Sequence, residues 1–253
     1  MSGAQHDLPV APIAPEGEVT ILHPRDALET LRDARGQRFT VAMLDPWYNR
    51  GVGGLQENYA DFLGELVHAA AAVADHVFLW GFPEIVCSVL PLAPKSHPLA
   101  AWLTWYFKNC PSQIRGWRSA QQACLHFASP EAKFHITHFL TEAQLALRLA
   151  GKLRFMPGPG SVIDVPLNIG FVGKKEQTGH PSQKPEAVYE PLLRMTTVAG
   201  DSVIDPMCGA GTTGAVARAR GVSAVLCDRS DEYLSLAEKR LGVSRIRHLR
   251  RTS

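Results

Sequence analysis

Residues 202–228 constrain the fold of this chain more than any other stretch. SVID (202–205) is a short apolar run that ends in an acid. The break Pro206-Met207-Cys208-Gly209-Ala210-Gly211 follows, and TTGAVARARG (212–221) reads as a helix closed by Gly221. SAVLCD (223–228) is a second apolar run ending in an acid, Asp228. A strand, a glycine loop, a helix and a second strand make a parallel crossover unit, whose ligands bind beyond the carboxyl ends of the strands. Gly209 and Gly211 let a ligand approach the backbone closely, and an acid ending the next strand is placed to accept ribose hydroxyls.

The same alternation runs through the rest of the sequence. FTVAML (39–44) reads as a buried strand ending at Asp45, and residues 58–73 as a helix with Phe62, Leu63, Leu66, Val67 and Ala70 on one face. HVFLW (76–80), AWLTWYF (101–107) and ACLHFA (123–128) read as strands, and PEIVCSVL (83–90) as a short helix. Residues 139–151 have helical spacing, MPGPGS (156–161) is a break, and a helix over 185–198 carries Pro185 near its start, where proline is tolerated. Ser230 caps a last helix through Leu241. Strands alternating with helices predict an α/β fold with a mainly parallel sheet.

Composition narrows the class. The chain is 45% hydrophobic and 20% charged, as in ordinary globular proteins, and no apolar run reaches the roughly 18 residues of a membrane span. The first residues are Pro-rich and polar, without the basic start and apolar core of a signal peptide, so a loose arm and a cytoplasmic location are expected. Cys87, Cys110, Cys124, Cys208 and Cys227 are odd in number and include no CxxC pair, which argues for small buried thiols over a disulfide framework or a zinc site. His135 and His138 have no nearby acidic or cysteine partner, so packing is expected of them and no metal. The net charge of +2 permits nucleic-acid binding without requiring it. The basic clusters are more local: Lys108, Arg115 and Arg118; Arg148, Lys152 and Arg154; and Arg245, Arg247, Arg250 and Arg251. Each also reads as a solvated face.

Gly209, Gly211 and Gly214 match a dinucleotide-binding G-x-G-x-x-G, but Asp205-Pro206 separates the two readings. A carboxylate at that strand end would repel a pyrophosphate and suits a cationic ligand. S-adenosylmethionine, with a sulfonium and an ammonium, is such a ligand. Leu44-Asp45-Pro46-Trp47-Tyr48 also follows a buried strand, at the edge where ligands bind. An exocyclic amine on a nucleobase is a poor nucleophile, because its lone pair is delocalised into the ring. Hydrogen-bond acceptors aimed at its hydrogens favour the more tetrahedral nitrogen of the transition state. The Asp45 carboxylate and the Pro46 carbonyl are such acceptors, and Tyr48 or Trp47 offers a ring on which a flipped base can stack. On its own, this segment also reads as a strand-ending turn with an aromatic anchor. His180-Pro181-Ser182-Gln183-Lys184-Pro185 is a third unit, read alone as a turn and helix cap.

Together the three units resemble the amino-methyltransferases of DNA, in the permuted order called the beta group, where the catalytic motif comes first. The family's D-P-P-Y or S-P-P-Y stands here as DPWY at 45–48, its H-P-[ST]-x-K-P as HPSQKP at 180–185, and its D-P-F-x-G-[SA]-G-T-T as DPMCGAGTT at 205–213. The resemblance continues through Asp228 and Tyr233 to Arg240-Leu241 and covers roughly 39–128 and 160–242. It implies a Rossmann-like fold with helices on both faces of the sheet. S-adenosylmethionine would be bound by Asp205, Pro206, Gly209, Gly211, Thr212, Thr213 and Asp228, with Lys184-Pro185 lining its methionine side. Asp45, Pro46, Trp47 and Tyr48 would form the catalytic motif. Transfer would be direct, governed by positioning, with no covalent intermediate. No Pro-Cys dipeptide of the cytosine-C5 type is present, and Cys208 is a poor nucleophile candidate.

This chain departs from the family at Trp47, which replaces the second proline and bears on the choice of base. Asp at the first position leans toward adenine N6, serine toward cytosine N4. The organisation expected is an arm over 1–18 and one methyltransferase domain over 19–253. Within the domain lie a catalytic half (39–128), a short candidate target-recognition region (129–160) and a cofactor half (161–242). The loop after the 101–107 strand places Lys108, Arg115, Trp117 and Arg118 together, good chemistry for phosphate contacts and base stacking; it also reads as an exposed hairpin tip. DNA is the expected partner, with a homodimer or a restriction-system partner as further candidates. Two other readings stay open: methylation of an amine on RNA or a small heterocycle, and a cofactor-binding DNA-binding module without catalysis.

Overall fold

The computed structural model describes residues 17–49, 54–110 and 116–247, so most of the expected N-terminal arm, Arg115, Arg250 and Arg251 lie outside the described residues. Among the described residues, nine strands form one sheet: β1 (Val19–Leu22), β2 (Phe39–Leu44), β3 (Ala74–Gly81), β4 (Leu99–Tyr106), β5 (Gln121–Ala128), β6 (Val162–Asp164), β7 (Ser202–Asp205), β8 (Ser223–Leu226) and β9 (Arg245–Ile246). Their order is β6-β4-β5-β3-β2-β7-β8-β1-β9. Of these strands β5 alone runs against the others, pairing antiparallel with β3 and β4. The mainly parallel sheet thus carries one reversed strand, the return leg of the β4–β5 hairpin.

There are seven α-helices among the described residues, all but the exposed α4 packed into the fold: α1 (Ala27–Asp33), α2 (Tyr59–Ala71), α3 (Pro83–Val86), α4 (Glu142–Leu149), α5 (Glu186–Thr196), α6 (Thr212–Ala219) and α7 (Asp231–Leu241). Leu31 of α1 with Leu63, Leu66 and Val67 of α2 packs on one face of the sheet. Val188, Leu192 and Leu193 of α5, Val216 of α6 and Leu234 of α7 pack on the other. Burying each such aliphatic side chain contributes about 1.5–3 kcal/mol, which is why the apolar stripes fix these helices to the sheet. The expectation of helices on both faces holds.

Local chemistry sets the boundaries. Asp26 starts α1 by accepting from Leu28 N–H and Glu29 N–H, and the Ser230 hydroxyl accepts from Tyr233 N–H to start α7. The helix expected over 139–151 is shorter. Thr141 and Gln144 form a reciprocal capping box that starts α4 at Glu142, and a separate 3-10 turn covers Ile136–Phe139. That turn is docked on α5: His138 Nδ1 lies 2.7 Å from the Arg194 carbonyl, which gives this histidine a packing role. Cys110, Cys124, Cys208 and Cys227 are buried, but Cys87 is exposed, contrary to the expectation for all five. No helix among the described residues is long and apolar enough to cross a membrane.

The sheet order positions the site. β2 and β7 are parallel neighbours, with Ala42 opposite Ile204, and β7 pairs with β8. Asp45, Asp205 and Asp228 therefore leave the same edge of three consecutive strands, although 160 residues of sequence separate the first two. The chain passes to one side of the sheet after β2 and returns beside it at β7, which opens a crevice at that edge.

Candidate active site

A cleft of about 680 Å³ opens at this edge. Asp45, Pro46, Trp47 and Tyr48 line it from β2, Pro206 and Met207 from β7, Asp228 and Arg229 from β8, and His180 and Tyr233 close it from the sides. The DPWY, HPSQKP and DPMCGAGTT segments thus meet in one place.

Asp45 is held by residues remote in sequence. Lys184 Nζ donates to its Oδ1 at 2.5 Å and the Tyr189 hydroxyl to its Oδ2 at 3.2 Å. The Asp45 side chain keeps 17% of its exposure, while that of Lys184 keeps 1%. The same ammonium donates to the Tyr48 hydroxyl at 3.1 Å and lies 5.1 Å from the centre of the Trp80 ring. Burial acts against the Lys184 charge, but Asp45 and Tyr48 outweigh it, and its pKa is displaced upward from the ordinary lysine value. Tyr48 donates in turn to Gln122 Oε1 at 3.2 Å and sits edge-on to Phe82. Burial, opposed by Lys184, raises the Tyr48 phenol and keeps it a neutral donor. Each carboxylate oxygen has a second lone pair, so Asp45 can still accept from an incoming amine.

The two aromatic residues of DPWY differ. Trp47 packs against Tyr59 and Phe62 of α2, with ring centres 5.2 Å away in each case, and the Arg229 guanidinium lies 4.7 Å above its ring. The Tyr59 hydroxyl donates to the Trp47 carbonyl. The indole is therefore anchored as a cleft wall, whereas Tyr48 lines the cleft with its hydroxyl pinned.

The glycine loop is built from behind. The Thr213 hydroxyl donates to Asp205 Oδ2 at 2.5 Å and Met207 N–H to Oδ1 at 3.0 Å. Asp205 is only 2% exposed, and burial pushes its carboxyl up to about 7 against those two donors. A Cβ on Gly211 would come within 2.9 Å of Leu241, so this glycine lets α7 pack on the loop. The Thr212 hydroxyl donates to the Lys184 carbonyl at 3.1 Å. Asp205, Gly211, Thr212 and Thr213, expected at the ligand, shape the loop from beneath, and Pro206, Met207 and Asp228 present the surface. The Lys184 ammonium, expected with Pro185 on the methionine side of a ligand, points at Asp45. Pro185 is buried as the cap of α5.

Gly209 and Asp228 are joined where the loop meets the cleft. Asp228 accepts Gly209 N–H at 2.9 Å and Ser230 N–H at 2.9 Å, and still lines the cleft. Gly209 has φ +50°, and a Cβ there would approach His180 Nε2 to 3.0 Å, so the close approach requires glycine. His180 accepts Ser182 N–H at Nδ1, and its ring meets Tyr233 edge-on at 4.2 Å. Burial lowers its pKa, which keeps the imidazole neutral beside the loop. An acidic acceptor, a glycine cradle and a half-apolar wall of Pro206, Met207 and Tyr233 fit S-adenosylmethionine. Cys208 is buried, with its thiol pushed well above the usual value, and is no nucleophile.

The candidate nucleic-acid residues lie on a flank. Lys108 is exposed and pairs with Asp164 at 3.3 Å, Trp117 is 100% exposed, and Arg118 is exposed. Asn109 ties this loop to the segment before HPSQKP, exchanging hydrogen bonds with Leu167 N–H (2.7 Å) and carbonyl (2.9 Å). Beyond Leu167, Phe171 is 91% exposed beside exposed Lys174 and Lys175, a surface that sequence reasoning missed. It also missed Gln122, Tyr189 and Arg229, of which only Arg229, adjacent to Asp228, left a signal in the sequence.

A family model described as DNA methylase matches residues 97–239. The chain is 29% identical over 230 residues to Type II methyltransferase M.HpaI of Haemophilus parainfluenzae, covering 85% of this chain and 72% of that one. It is 25% identical over 247 residues to DNA adenine methyltransferase YhdJ of Escherichia coli (strain K12), covering 89% and 83%. In structure it is similar to the cytosine-N4-specific PvuII DNA methyltransferase, with a TM-score of 0.68 at 18% identity over 89% of this chain and 87% of the other. That last likeness is one of fold.

Proposed function

This chain belongs to the N6/N4 DNA methylase family, whose members methylate an exocyclic amine of a DNA base with S-adenosylmethionine as methyl donor, and we propose that its own target is adenine N6 at a specific DNA site. The observation that carries the reading is Asp45, a cleft-facing carboxylate fixed at both oxygens beside the Pro46 carbonyl. Aspartate at the head of the motif favours adenine, and a relative along most of the chain is an adenine methyltransferase.

Bound in the cleft, S-adenosylmethionine would supply a methyl group on a sulfonium sulfur that leaves as a neutral thioether. Asp228 and the Gly209 backbone would hold it, and Met207 and Tyr233 would exclude water around it. Asp45 and the Pro46 carbonyl would accept hydrogen bonds from the two amine hydrogens, which turns the nitrogen lone pair out of the ring's π system and toward the methyl group; the methylated nitrogen then loses one of these protons to solvent. Preorganised acceptors of this kind act mainly in the transition state, where positive charge develops on the nitrogen. Tyr48 stacks on the flipped base, worth about 1–3 kcal/mol. Lys108, Arg115, Trp117 and Arg118, with Phe171, Lys174 and Lys175, contact the duplex around it.

The test is transfer of labelled methyl from S-adenosylmethionine to mixed genomic DNA, followed by nucleoside mass spectrometry. N6-methyladenine is expected. N4-methylcytosine overturns the choice of base. Label on RNA or a small amine, with DNA unlabelled, overturns the substrate.

A further inference from the structure

We propose that Lys184 is a positioning residue of the transfer reaction, holding the Asp45 carboxylate in the one orientation that receives the target amine. The proposal rests on Asp45 being the amine acceptor, as argued above. Lys184 joins two halves of the site that sequence keeps apart. Its carbonyl accepts from Thr212 of the glycine loop, and its ammonium reaches Asp45 and Tyr48, 139 and 136 residues earlier in the chain. The lysine side chain is 1% exposed, so solvent does little to screen its charge from the acid.

Geometry explains why a cation is used. Apart from Lys184, the groups around Asp45 are mostly acidic or neutral. Asp205 is a second carboxylate on the neighbouring strand, Asp228 a third one strand further, His180 is an imidazole held neutral, and Tyr59 and Tyr189 are phenols. Arg229 also lines the cleft, but its guanidinium lies over the Trp47 ring. Tyr189 donates one hydrogen bond but no charge. Without Lys184, Asp45 Oδ1 loses its charged donor and Tyr189 alone holds the carboxylate, which is then free to turn away from the amine. Lys184 also fixes Tyr48 by the same ammonium, so the acid and the stacking ring are set by one group.

The experiment compares Lys184→Met and Lys184→Gln with the wild type, alone and in an Asp45→Asn background, by kcat, KM, the Kd for S-adenosylmethionine and thermal melting. For Lys184→Met, kcat falls about 100-fold or more while the Kd for S-adenosylmethionine stays within about threefold, the mark of an effect confined to the transition state. In the Asp45→Asn background the same change costs less than about threefold, since residues acting through one another are not additive. Lys184→Gln keeps a donor without the charge and is expected to lose nearly as much rate. In melting, Lys184→Met lowers Tm and adding Asp45→Asn restores part of it, because the unpaired buried carboxylate is gone. A rate loss of equal size in both backgrounds overturns the proposal, as does full activity in Lys184→Gln. If the wild type leaves DNA unmethylated, the functional reading falls by itself. The melting cycle still decides whether Lys184 holds Asp45, and independent Tm changes overturn it.

Discussion

Asp45-Pro46 and Asp205-Pro206 are the same dipeptide at the ends of neighbouring parallel strands, yet their carboxylates meet different donors. The Asp205 oxygens are satisfied by its own loop, through Met207 N–H and the Thr213 hydroxyl, and the residue is sealed from solvent. The Asp45 oxygens are held by side chains from Lys184 and Tyr189, across the site, and the carboxylate faces the cleft. A carboxylate satisfied by its own turn shapes backbone; one held by distant partners is presented to a ligand. The motif alone does not separate these roles, because it does not say where the donors come from.

Four measurements break or sharpen the contrast. Asp45→Ala should lower kcat about 10²–10³-fold, with the Kd for S-adenosylmethionine within about threefold by calorimetry. Normal turnover would remove Asp45 from the reaction. Asp228→Ala should do the reverse, weakening cofactor binding about 10–100-fold through the loss of charged hydrogen bonds worth about 1.5–3 kcal/mol, with kcat at saturating cofactor close to wild type. Unchanged cofactor affinity would take Asp228 out of recognition. Asp205→Ala orphans Met207 N–H and the Thr213 hydroxyl. A loss of about 1–3 kcal/mol in denaturant unfolding is expected, with a smaller effect on turnover than at position 45. A rate loss as large as that of Asp45→Ala would erase the distinction. The smallest effect is in pH dependence. Asp205 has a carboxyl raised to about 7 in the folded protein from 3.8. The folded state therefore binds more protons across that window, and this residue's contribution to stability is present at low pH and lost as pH rises through about 7. The Tm of wild type should fall more from pH 5 to 7 than that of Asp205→Asn; parallel curves would deny the raised carboxyl.

The sequence disclosed those parts of the molecule whose determinants are local. FTVAML and SVID form β2 and β7 at the expected residues, and Ser230 caps α7 through Leu241, because apolar runs and side-chain caps act within one turn. β1, β6 and β9 are not legible in this way: β6 and β9, at three and two residues, are too short for a period, β1 is as short as β7 but lacks the glycine loop that frames SVID, and pairing with β8, β4 and β1 makes the three of them strands. α1, seven residues long, is equally short of a periodic signal, despite the Asp26 cap. In the site, DPWY and the glycine loop are legible as motifs. The motif reading assigns Asp205 and Thr213 to the ligand although they brace each other, since spacing cannot show which way a side chain turns. Lys184 is the sharper case: its partner is remote in sequence and becomes a neighbour only once β2 and β7 pair.

The pairing of β5 and β6 with one strand, β4, bears on how such a chain can diversify. Residues 129–161 leave the sheet at β5 and rejoin it at β6, on either side of β4, so the two ends of the excursion are already closed by strand hydrogen bonds. Lengthening a loop whose ends are so fixed adds only about 0.6 kcal/mol per doubling. The exposed α4 and the MPGPGS stretch after it are where added length would disturb least. The molecule behaves as a socket with an exchangeable cassette: residues 129–161 can be enlarged, shortened or swapped while the three strand ends that carry Asp45, Asp205 and Asp228 keep their spacing.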